Sequence, residues 1–103
     1  MKLDDRRAQP RVDIELRAVL KSSQGRADNA VITDLSTGGF AAATDTATLH
    51  PRLGYSIKVD GLEAQAAELR WTSPEKAGFA FQRPLHPAVA DHLTGLNPPL
   101  EKD

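Results

Sequence analysis

The chain has 103 residues, a length for one domain with a modest core and little room for a second. Hydrophobic residues make up 40% and charged residues 26%, the balance of an ordinary globular protein. The formal net charge of −1 means that any attraction for an anion has to come from local clustering. With no cysteine, a disulfide framework, a thiolate zinc site and a cysteine nucleophile are all excluded.

The start, Met1-Lys2-Leu3-Asp4-Asp5-Arg6-Arg7, is charged and has no apolar stretch behind it, so no targeting segment is read there. Residues 1–11 carry Arg6, Arg7, Arg11 and Pro10 and are expected to form a flexible arm. From Val12 the pattern changes. Ile14, Leu16, Ala18 and Leu20 alternate with Asp13, Glu15, Arg17 and Lys21, the period of a half-buried strand, with Val19 as the one break. Ser22-Ser23-Gln24-Gly25 reads as a turn.

A second strand is predicted over about 26–33. The turn formers Asp34-Leu35-Ser36-Thr37-Gly38-Gly39 interrupt it, and strand resumes over 40–44. The segment 48–54, with Pro51 and Gly54, reads as a loop. Tyr55, Ile57 and Val59 then alternate up to Asp60-Gly61, a hairpin signal. Over 62–71 the apolar phase moves from Leu62, Ala64 and Ala66 to Ala67, Leu69 and Trp71, which predicts a β-bulge between the two sets. A last strand is predicted over 77–81. In the tail, Leu85, Val89, Leu93 and Leu96 recur at helical spacing, with Pro87 suited to the first turn and Gly95 and Pro98-Pro99 ending it. Five or six short antiparallel strands and a C-terminal helix suggest a small barrel or sandwich.

Two clusters stand out. Arg7-x-x-x-Arg11 lies directly before the first strand, and Asp34-x-Ser36-x-x-Gly39 lies between two strands. Separately each has a plain structural reading: a solvated basic arm, and a turn in which Asp and Ser bond their own backbone. In this order they resemble the paired signature of the PilZ family. Val31 to Phe40 is similar to that family's strand–turn–strand, and Ala67–Trp71 with Ala77–Phe81 is similar to its closing hairpin, so the likeness runs from about Arg6 to Phe81.

The resemblance implies an all-β fold, a six-stranded antiparallel barrel; with the short C-terminal helix it makes one domain over 12–97, followed by a tail at 98–103. It also implies a receptor for the bacterial second messenger cyclic di-GMP. In that role Arg7 and Arg11 grip phosphate or a guanine edge through their planar forks. Asp34 accepts from guanine N–H groups, Ser36 donates or accepts, and Gly39 gives the backbone an unusual conformation that lets the ligand lie close. Arg6 reads in two ways: as a third guanidinium able to hold a stacked pair of ligand molecules, or as a solvated charge.

His50, His86 and His92 lack metal-ligand spacing, and Ser36 lacks the setting of a nucleophile. Trp71, Phe79 and Phe81, at strand period, read as core or barrel-rim residues. The expectation is therefore a non-catalytic module without metal or cofactor, whose partners are cyclic di-GMP and a downstream protein. Neither nucleic-acid binding nor membrane insertion is expected. The longest apolar run, Phe40-Ala41-Ala42-Ala43, is far short of the roughly 20 residues of a span, and the compartment expected is the cytoplasm. The alternative is a PilZ-like protein-interaction module that binds no nucleotide.

Overall fold

A computed structural model describes residues 12–96 of the chain. Six strands appear in chain order: β1 (Val12–Ser22), β2 (Ala27–Leu35), β3 (Gly39–Ala43), β4 (Tyr55–Lys58), β5 (Gln65–Thr72) and β6 (Lys76–Phe81). A helix, α1 (Pro87–Leu96), follows. All strand pairs are antiparallel, and the order β1-β2-β3-β6-β5-β4 closes into a barrel through the pairing of β1 with β4. The expected fold class is the one observed.

Period-two patterning explains the wall. Ile14, Ala18 and Leu20 on β1 face inward with Ala30, Ile32 and Leu35 on β2, Phe40 and Ala42 on β3, and Tyr55 and Ile57 on β4. Val19 takes the outward phase and is left 39% exposed. The aromatic centre consists of Phe40 stacked on Phe79 with ring centroids 4.9 Å apart, flanked by Phe81 and Tyr55. Buried Tyr55 keeps its hydroxyl satisfied by accepting from the His50 amide at 2.8 Å.

One end of the barrel holds the start of β1, the turn after β2, the turn after β4 and the segment from β6 to α1; the opposite end holds the other three connections. The helix begins where expected. Pro87 occupies its first position, and His86 caps it by accepting the Ala88 amide on Nδ1 at 3.0 Å. Leu85, Ala90 and Leu93 bury themselves against the core.

Three expectations are corrected. Asp34 and Leu35 belong to β2 and not to the turn. Strand β5 starts only at Gln65, since Leu62–Ala64 continue the loop after Asp60-Gly61. The bulge accordingly lies between Leu69 and Trp71, not before Ala67. The helix runs through Gly95 to Leu96.

Candidate functional site

Asp34 owes its position to a bulge. Ile32 pairs with Ala42 and Asp34 pairs with Ala41, so Thr33 is an extra residue on β2. Without it Asp34, two residues after inward-facing Ile32, would point into the core. With it, Leu35 takes the inward phase opposite Phe40, and Asp34 moves to the outer face. Thr33 steadies the irregularity by donating from Oγ1 to the Ala41 carbonyl at 3.4 Å. Across the other edge of β2, Asp13 stands in register with Asp34, which brings two carboxylates to one stretch of wall.

Ser36 organises the turn that follows. Its Oγ accepts from the amides of Gly38 and Gly39, each at 3.2 Å, and donates to the Gly39 carbonyl at 3.4 Å. The Ser36 amide donates to the same carbonyl at 2.9 Å. The turn is also tied to its surroundings: the Gly38 carbonyl accepts from the Phe81 amide at 2.9 Å, and the Thr37 carbonyl from the Leu85 amide at 2.8 Å. Ser36 is thus first a builder of backbone shape, with only its longest bond, to the Gly39 carbonyl, lightly held.

Gly39 is glycine for a reason other than the expected one. Its φ lies outside the left-handed region, and a Cβ there would run into the Phe79 carbonyl on β6. The residue permits close approach of β3 to β6, so the unusual backbone conformation expected of it is not found.

Arg6, Arg7 and Arg11 lie outside the described residues. Connectivity still limits where they are delivered. Val12, the first described residue, pairs with Leu35, at the edge of the Ser36 turn. One peptide unit of about 3.8 Å joins Arg11 to it, and Arg7, five residues back, is within roughly 18 Å of chain.

The structure also brings forward a residue that strand period reads as core or barrel rim. Trp71 is 43% exposed. Leu69 pairs with buried Phe79 and Trp71 pairs with Gly78, leaving Arg70 as an extra residue on β5; this second bulge turns the indole outward. Paired residues share a face, so Asp34, Ala41, Gly78 and Trp71 form a row along the outer wall across β2, β3, β6 and β5. Three inter-strand steps of about 4.8 Å separate its ends. Strand tilt in a closed barrel makes such a row climb the wall instead of circling it. The cue for Trp71 was present as the phase break, but it was assigned to the wrong side of Ala67.

A concavity lies elsewhere, between β1, the Asp60-Gly61 turn and α1. It measures about 710 Å³; Leu16, Leu62, Ala88, Val89 and Leu93 line it together with the polar Glu15, Arg17, Asp60 and His92. None of Asp34, Ser36 and Gly39 reaches it. The candidate for the Asp34, Ser36 and Gly39 motif is therefore the outer wall. Among the described residues no cluster of three or more metal-ligating side chains occurs, and no helix is long and apolar enough to cross a membrane.

A closed barrel with Asp34 on its outer face and a serine-built turn beside the start of β1 is the architecture these residues build. A family model for the PilZ domain matches residues 5–96, and the chain belongs to that family. PilZ domains are generally cyclic di-GMP-binding modules, a family of binding and adaptor domains and not typically catalysts. No curated protein matches the chain.

Proposed function

We propose that this protein is a cyclic di-GMP receptor whose ligand lies on the outer wall between the arginine segment and the row that begins at Asp34. The observation that carries the reading is the Thr33 bulge: it places Asp34 outward beside a serine-built turn at the place where the chain from Arg11 enters the barrel. Asp34 accepts from guanine N–H donors. Arg7 and Arg11 supply forked donors to phosphate or to the O6/N7 edge. Ser36 holds the turn, and its lightly held proton is available to the ligand.

Trp71 extends the site as an aromatic surface for a base, at the far end of the row. Arg6 adds a third guanidinium, sufficient for a stacked pair of ligand molecules, against the plainer reading of a solvated charge. The signal passes to a protein partner. The bond from the Leu85 amide to the Thr37 carbonyl supports a route from the turn to the start of α1. The rival reading, an interaction module without nucleotide, has no specific observation in its favour.

Amide shift mapping tests the site. Cyclic di-GMP should move the resonances of Thr33–Ala41 and the Trp71 indole, and leave Leu62 and Val89 in the groove nearly still. Shifts concentrated in the groove would reject the wall as the binding surface.

A further inference from the structure

Gly78 lies in the middle of β6, between Ala41 on β3 and Trp71 on β5. Its neighbours Ala77 and Phe79 face the core, so Gly78 turns its backbone to the outer face, where the Trp71 indole covers it. A Cβ at this position would overlap Nε1, Cε2 and Cδ1 of the Trp71 indole. The obstructing atoms belong to a rigid ring, so the added methyl can be accommodated only by moving the whole indole. Gly78 has an ordinary φ, outside the left-handed region, and nothing in its backbone conformation demands glycine.

We propose that Gly78 is a positioning residue of the ligand site: it seats the Trp71 indole directly on the backbone of β6, so that the exposed part of the ring is presented to a base at a fixed height. This rests on the cyclic di-GMP reading above. A raised or rotated ring would still be aromatic and exposed, but no longer in the row. The competing role is purely structural, with Trp71 serving only to cover an otherwise bare stretch of strand.

The chain has a single tryptophan, which makes its emission a direct reporter of the seat. In the Gly78→Ala variant without ligand, emission should shift to the red and acrylamide quenching should rise. The added methyl points outward and overfills no core. Cyclic di-GMP affinity should fall about tenfold, the scale of one lost base stack, and Trp71→Ala should lose a similar amount. The double variant Trp71→Ala/Gly78→Ala should bind no more weakly than Trp71→Ala alone, because the second change then has no ring to displace.

Several results would overturn the role. One is a Gly78→Ala variant with unaltered emission and affinity; another is a double variant in which the two losses add in full. A Trp71→Ala variant that melts much earlier yet binds normally would establish the structural cover instead, and this readout holds even if Gly78→Ala folds poorly. An unaltered protein that binds no cyclic di-GMP removes the nucleotide reading and this role together. A Gly78→Ala variant that binds as the unaltered protein does removes the role alone.

Discussion

Two turns in this barrel are built by the same device and have different surroundings. At the far end, Ser22 Oγ accepts from the amides of Gln24 and Arg26 at 3.2 and 3.3 Å. At the end where β1 begins, Ser36 Oγ accepts from Gly38 and Gly39. The Ser22 turn faces solvent, its Gly25 takes a φ of +91°, and a Cβ on Gly25 would touch nothing within 4 Å. Its nearby carboxylate, Asp28, is bonded to Arg26 at 2.9 Å. The Ser36 turn is half-buried and held by the amides of Phe81 and Leu85, with Gly39 wedged against Phe79. A serine turn is a common local structure. What makes one of them a candidate site is a bulge before it, a clamp behind it and the start of β1 in register beside it.

The sharpest break between the turns should come from their glycines. Gly39→Ala drives a methyl into strand backbone that cannot retreat, and should cost about 2–3 kcal/mol of stability. Gly25→Ala meets only the strain of a left-handed backbone, about 1 kcal/mol, and should leave ligand affinity unchanged. Chemical denaturation of both variants checks the difference. Similar losses at the two positions would mean that the β3–β6 approach is not as constrained as the structure indicates.

Next in size is the effect of the arginines on binding. Arg7→Ala and Arg11→Ala should each weaken cyclic di-GMP binding by about 1.5–3 kcal/mol, roughly tenfold to a hundredfold, with the melting temperature unchanged. Arg11→Lys should also bind weakly, since an ammonium keeps the charge and loses the fork. Titration of the three variants decides, and unaltered curves for both alanine variants would remove the assignment.

A smaller contrast separates the serines. Ser36→Ala strands two half-buried amides, should cost about 1 kcal/mol of stability and should weaken the ligand as the turn loosens. Ser22→Ala exposes its amides to water and should change stability by no more than about 0.5 kcal/mol, with no effect on the ligand. The smallest change is one of count. If Arg6 holds a second ligand, native mass spectrometry should find two molecules per unaltered chain, and Arg6→Leu should move the number toward one. One ligand per chain at saturation leaves Arg6 as a solvated charge.

The strands, their turns and the helix could be read from the residues because periodicity reports the face each one shows, and Pro87 and the turn glycines punctuate the pattern. The bulges were harder. A bulge adds a single residue, and Asp34, a turn former by type, concealed the fact that β2 continues through Leu35. The phase break in β5 was visible, but Leu62–Ala64 mimicked a strand start and drew the bulge toward Ala67. Trp71 was therefore grouped with Leu69, when the two face opposite sides of the wall. The role of Gly39 was out of reach for another reason: the Phe79 carbonyl it admits lies on a distant strand, and only the β3–β6 register brings the two together.

Calorimetric titration of the unaltered protein with cyclic di-GMP, alongside GTP and cyclic di-AMP, tests the central claim most directly. The predicted result is a saturable isotherm for cyclic di-GMP that neither control reproduces and that weakens strongly in Arg11→Ala. A flat titration of the folded, unaltered protein, or equal binding of all three nucleotides, would contradict it.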